Sequence, residues 1–210
     1  KVNIIDISKL LEGNQLQSYK GEMLKLPTLY MTVWGKLFKR SIIVNNKILF
    51  DSRLRLAEDG DFMLQFLVKV NSILLNNYTL YNYRNNSNST MRTFDNNKVN
   101  SYLQAMKISN GKLPSDSYLK ESFYFYVLMH LNIMMVHEVF DIENNIRYLA
   151  KRRKLRQILQ TDIISRALQK IKISDCKEKQ TIPIILLKLK LYDIAGLAFR
   201  LRSKQNHKKI

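Results

Sequence analysis

Three carboxylates crowd one short stretch: Glu58 and Asp59 are adjacent, and Asp61 follows after Gly60, just ahead of the apolar run from Phe62 to Val70. Three chemistries suit such a trio. Asp59-Gly60-Asp61 has the D-x-D form in which two carboxylates share a divalent cation bound to phosphates. No other carboxylate or histidine nearby completes a cage, so a metal site within this chain is not expected. Asp59 or Asp61 could instead cap the helix that begins here, where negative charge suits the dipole. A cap does not explain why further carboxylates share the turn. The third option is acid-base work, with a carboxylate at a helix start accepting a proton from a hydroxyl nucleophile.

Other candidate groups are sparser. His130 and His137 lie seven residues apart on one expected helix, among Leu131, Ile133, Met134, Met135 and Val136. No Ser, Cys or Asp is spaced to complete a triad with them, so a core or interface role is expected. Cys176 is the sole cysteine, which excludes an internal disulfide and fits a reducing, cytoplasmic setting. Met129, Met134 and Met135 suit a packed interior.

The elements that must carry these residues fall into two parts. VNIIDI near the start and SILLNNYTLYNY over residues 72–83 have strand character, the latter with an Asn-Asn turn. TLYMTVWGKLFKRSII, residues 28–43, predicts a short helix with Lys39 and Arg40 in its last turn. The apolar spacing from Asp61 to Val70 predicts a buried helix. Beyond residue 97 the segments 98–110, 116–140, 142–172 and 180–203 are helix-like, with interruption of the third expected at Asn144-Asn145 or at the KRRK run. The expected fold is α/β, mainly α by content, with one part over residues 1–97 and a basic helical region over 98–210.

Charge is distributed unevenly. Of 35 Lys/Arg and 17 Asp/Glu, net +18, residues 151–210 hold 17 basic against 4 acidic residues, a net +13. Such an excess suits a polyanion or a lysine-rich solvated surface. The KRRKLR run at 151–156 could meet lipid phosphates but lacks the interleaved aromatics of a single-strand nucleic-acid platform, so nucleic acid is not an expected partner. No stretch has the roughly 18–20 apolar residues needed to span a bilayer. One helical stripe (Ile184, Leu187, Leu191, Ile194, Ala198, Leu201) could lie in a membrane interface or pack on the core.

Four motifs in order give the chain a family likeness. Trp34, Lys36, Leu37, Phe38 and Arg40 form a W-x-K-L-F-x-R segment, and Phe50 and Asp51 an F-D pair. Glu58, Asp59 and Phe62 form E-D-x-x-F, and Tyr81, Tyr83, Arg84 and Ser89 a Y-x-Y-R with a later serine. Together they resemble bacterial family 2 glycosyltransferases over about residues 28–95. The resemblance implies the C-terminal part of a GT-A-like nucleotide-sugar transferase fold. It implies inverting transfer of a sugar from a nucleotide-sugar donor to an acceptor hydroxyl, in surface polysaccharide synthesis.

By the same resemblance Asp59 is the general base and Glu58 orients the acceptor. Trp34 would stack on a sugar or serve the core. Lys36 and Arg84 would contact acceptor or diphosphate, or pair with nearby acids. Asp61 matches no catalytic position and is expected to be solvated or to cap. The family's nucleotide-binding half, with its own D-x-D for Mg or Mn, has no counterpart before residue 28. The chain, which starts at Lys1, is therefore expected to be the later part of a longer protein and inactive alone. Expected partners are a nucleotide-sugar donor, a glycan or lipid-linked acceptor, and an anionic membrane surface touched by residues 151–210, on the inner face of the cell membrane. The competing expectation is a non-enzymatic basic helical module that binds a membrane or a protein.

Overall fold

A computed structural model of the chain describes residues 8–76, 81–84, 93–114 and 118–208. Ten α-helices and one small sheet make up the described regular structure, with a π-helical turn and two short 3-10 turns. Strand β1 (Lys9–Leu11) pairs antiparallel with β2 (Ile73–Leu75), Leu10 opposite Leu74. The VNIIDI segment and Asn77–Leu80 lie outside the described residues. Tyr81–Arg84 forms no strand.

The core is organised by α6 (Tyr118–Met134), whose apolar residues occur all round its circumference. A helix of that kind must be surrounded. Packed around it are α1 (Gly13–Lys25), α5 (Lys98–Lys112), α8 (Asp162–Lys170) and α9 (Ile182–Lys188). The resulting buried cluster is contiguous from Met23 to Phe199, so elements on both sides of residue 97 share it. Short helices α2 (Pro27–Tyr30) and α3 (Arg40–Asn45) precede α4 (Glu58–Lys69), the helix that carries the three carboxylates. Pro27 opens α2 at the position where a missing N–H costs nothing.

Two polar devices fix α4 and α5. Lys20 of α1 is buried and donates to the Val70 carbonyl at the end of α4, 2.7 Å away, so a cation meets the negative end of the helix. At the far end of α6 the chain widens into the π turn Met135–Val139, which directs Glu138 inward. One Glu138 oxygen accepts the Val99 N–H at the start of α5 (2.6 Å), and the other pairs with Lys154 of α7 (Tyr148–Leu159). A carboxylate thus holds the positive end of α5 at the other end of the bundle.

Several local expectations shift. Lys39 and Arg40 sit at the start of α3, not in its last turn, because the W-x-K segment is irregular and the helix forms only after it. The 142–172 segment is non-helical across Asn144-Asn145, as one expectation had it, and breaks a second time at Gln160-Thr161, while the KRRK run continues unbroken inside α7. The 180–203 segment is also two helices, α9 and α10 (Tyr192–His207), separated at Lys190, whose φ is +60°. This break divides the expected stripe. Ile184 and Leu187 are buried, whereas α10 turns Ala195, Gly196, Phe199 and Ser203 inward. Gly196 lies so near the Phe140 ring that a Cβ would approach it to 2.8 Å, which selects that face. Ile194, Leu197 and Leu201 then point outward, each more than half exposed.

Candidate active site

Three motif phenylalanines meet. The Phe50 ring stacks on Phe62 at 4.6 Å and 17°, and Phe38 meets both Phe62 and Phe66 edge-on, at 5.5 and 5.0 Å. Each contact adds about 0.5–1.5 kcal/mol beyond simple burial. Segments separated by up to 28 positions are clamped to the first turns of α4. Asp51, next to Phe50, accepts from Arg53 (2.6 Å) and from Lys112 of α5 (3.3 Å). The hydrogen bond from Arg53 is the chief reason its carboxyl lies well below the usual range.

The three carboxylates prove to have different environments. Asp61 is completely buried. It accepts from Ser109 (2.8 Å), Lys112 (2.6 Å) and Gln65 (2.9 Å), tying α4 to α5. A solvated or capping role is therefore corrected: Asp61 belongs to the frame. Glu58 and Asp59 are half-buried, in the first turn of α4. Asp59 Oδ2 accepts the Val33 N–H at 3.4 Å, which joins the E-D pair to the W-x-K segment. Glu58 lies toward Tyr102 and Tyr126, whose hydroxyls burial pushes well above the ordinary tyrosine range, with Glu58 adding to the effect.

Two backbone features aim this turn. Ala57, immediately before it, adopts a left-handed conformation with φ of +60°, and no side chain caps the helix. Gly60 faces Tyr126 of α6, and a Cβ there would stand 2.1 Å from the tyrosine oxygen. The glycine leaves room for the Tyr126 hydroxyl, which reaches from α6 to the E-D turn.

Around Asp59 the sequence-chosen residues assemble in part. Lys36 is half-buried and donates to the Thr32 carbonyl at 2.7 Å. Burial pushes its ammonium below the ordinary lysine value, and Asp59 pulls it back up. Trp34 is 39% exposed and flanked by Tyr81 (5.3 Å, 18°) and Tyr83 (5.2 Å, 36°). Arg84 is exposed beside Tyr83, with no hydrogen bond or ion pair to Glu58 or Asp59 among the described residues. Ser89 lies outside the described residues. The two tyrosines were visible only as motif letters, although a Y-x-Y spacing places both on one side of extended chain. Tyr102, Ser109, Lys112 and Tyr126 had no local signal, because they reach the site from α5 and α6.

Among the described residues no group of three His, Cys, Asp or Glu could hold a metal. The D-x-D likeness fails physically, since Asp61 is buried and already engaged. His130 is buried, with Nδ1 2.8 Å from the Tyr126 carbonyl; the carbonyl only accepts, so Nδ1 carries the proton. Burial pushes His130 and His137 down to about 4, which suits neutral imidazoles, His130 in the core and His137 half-buried. Among the described residues no helix is long and apolar enough to cross a membrane.

Comparison with known proteins adds one informative likeness. Over 143 residues the chain is 27% identical to the uncharacterized glycosyltransferase EpsJ of Bacillus subtilis. The alignment covers 65% of this chain and 40% of that protein, so the chain spans less than half the relative's length. No family model matches, and no solved structure matches. The chain is similar, at the level of class, to part of a glycosyltransferase.

Proposed function

We propose that these residues form the acceptor side of an inverting family 2 glycosyltransferase of the GT-A type. The observation that carries this is the meeting of two motif segments at one half-buried carboxylate: Val33 donates to Asp59, with Trp34 and Lys36 on the same strap. In the reaction the acceptor hydroxyl gives its proton to Asp59 as its oxygen attacks the anomeric carbon. The bond from that carbon to the nucleotide diphosphate breaks on the opposite face, inverting the configuration. Glu58 orients the acceptor, the Trp34–Tyr81–Tyr83 aromatics offer it an apolar surface, and Lys36 and Arg84 supply cations for acceptor or diphosphate oxygens. The described residues do not fit Mg or Mn, so no step is assigned to a metal here.

The product, in this proposal, is a surface polysaccharide, and the nucleotide sugar is held by sequence outside these 210 residues. Attachment to the inner membrane face is supported by α10, which turns Ile194, Leu197 and Leu201 outward beside Arg200, Arg202 and Lys204. The deciding experiment uses a protein that joins this chain to a nucleotide-sugar-binding half. Asp59→Asn lowers transfer by about 10²-fold or more and leaves nucleotide-sugar affinity nearly unchanged. Transfer retained by that variant removes Asp59 from the base role.

A further inference from the structure

The KRRKLR run does not present its charge as a uniform basic face. Lys151 is buried and donates to the Asn144 carbonyl (2.6 Å), Arg152 pairs with Asp193 (3.0 Å), and Lys154 pairs with Glu138. Arg156 is treated differently. Its guanidinium lies over the Tyr192 ring at 5.3 Å, and no carboxylate pairs with it among the described residues.

Arg156 opens onto a cleft of about 590 Å³ between α7, α8, α9 and the start of α10. Lys188 and Lys190 line the same cleft, and no described carboxylate does. Neither lysine has a carboxylate partner among the described residues, although Arg166 on α8 pairs with Asp162. Three cations gathered without a counter-charge repel one another until an anion joins them. We propose that this cleft is a binding site for a phosphate ester, separate from the Asp59 site.

Three features preorganise the cleft for that ligand. Lys188 donates to the Leu168 carbonyl, which fixes its ammonium at the wall. Lys190 occupies the left-handed region at the α9–α10 turn, a backbone strain that glycine would avoid. A cation placed at strained backbone is the kind of outlier that marks a functional position. Arg156 supplies a planar fork suited to two phosphate oxygens. Ser165 and Gln169 add neutral donors, while Tyr192 and Leu187 provide an apolar wall for the group esterified to the phosphate. The volume lies in the range of small-molecule sites.

The phosphate can belong to a soluble ester or to a lipid headgroup, and the test distinguishes them. Calorimetric titration of the intact chain with inorganic pyrophosphate at low salt is expected to show saturable binding. Arg156→Gln with Lys190→Gln should weaken it at least about tenfold. A control of equal charge change on exposed positions, Lys9→Gln with Lys69→Gln, should stay within about twofold. Vesicles containing about one third phosphatidylglycerol form the second arm. Sedimentation with them that pyrophosphate displaces identifies a headgroup ligand, and pyrophosphate binding without such displacement identifies a soluble ester. If the double variant unfolds, pyrophosphate should still protect Lys188 and Lys190 from acetylation in the unaltered protein. Absence of saturable binding in both arms overturns the site, as does equal loss in the control or absence of that protection.

Discussion

The Tyr126 hydroxyl oxygen occupies the space where a Cβ of Gly60 would be, 2.1 Å from the ideal position. That hydroxyl is buried and has no hydrogen-bond partner among the described residues. Contact between helices, not the hydroxyl's bonding, explains the glycine between Asp59 and Asp61. Gly60→Ala gains helix propensity of about 1 kcal/mol but overpacks the α4–α6 contact, for a net loss of roughly 1–3 kcal/mol. Tyr126→Phe alone is expected to be neutral or mildly stabilising, because it removes an unpaired buried polar atom. Combined with Gly60→Ala it should restore more than about 1 kcal/mol. Urea unfolding of the four proteins measures the coupling. Simple additivity would mean that the two residues do not constrain each other.

Asp59 and Asp61 should separate cleanly by assay. Asp61→Ala leaves the buried Ser109 hydroxyl unpaired and strips Lys112 of its nearer partner, although Asp51 remains, which costs about 1–3 kcal/mol. Asp59→Ala removes one 3.4 Å contact from a half-exposed group and should cost under about 1 kcal/mol. Equal stability of the two variants would contradict the division between frame and reactive group.

That division shows what the sequence could and could not disclose. The order and spacing of W-x-K, F-D and E-D-x-x-F pointed to one site, and Phe38, Phe50 and Phe62 do meet. Helices over 98–112 and 118–134 followed from long apolar spacing without breakers. The burial of Asp61 was invisible, because its partners Ser109 and Lys112 lie 48 and 51 positions away. Local reasoning sees three similar carboxylates, and only tertiary contacts distinguish them. The break at Lys190 was hidden for another reason: a lysine in the left-handed region carries none of the glycine or asparagine signals that mark a helix end.

Ala57 offers a test of the strain ahead of the E-D pair. At φ of +60° an alanine pays roughly 1–2 kcal/mol that glycine does not, and glycine loses about 0.5–1 kcal/mol in unfolded-state entropy. Glycine is also the better residue ahead of a helix. Ala57→Gly should therefore raise the melting temperature, by a net gain of up to about 1 kcal/mol. A lower melting temperature would show that the turn is not held left-handed in solution.

Acid sensitivity should come partly from the buried imidazoles. Burial pushes His130 from 6.5 down to about 4, so between those values the unfolded chain binds the extra proton. Stability is fully present above about pH 6.5 and is lost as pH falls toward 4. His130 contributes up to about 3 kcal/mol of that loss, and His137 acts with the same sign. His130→Leu should lower stability at pH 7, through the lost bond to the Tyr126 carbonyl, yet flatten the decline of the urea midpoint between pH 6.5 and 4.5. An unchanged slope would place the proton uptake elsewhere.

Trp34 is the chain's one tryptophan, so its fluorescence reports on the candidate acceptor surface alone. Tyr81 and Tyr83 cover the indole at 5.3 and 5.2 Å, and removing either ring admits water to it. Tyr81→Ala and Tyr83→Ala should each shift the emission to longer wavelength and raise quenching by iodide. Lys36→Met keeps the rings but removes the cation beside Asp59, so it should leave the emission nearly unchanged. A saturating change of the emission on addition of acceptor oligosaccharides, absent in the two alanine variants, would assign the aromatics to sugar contact. Emission that ignores sugars in the native protein would leave Trp34 as packing between two tyrosines and remove it from the acceptor site.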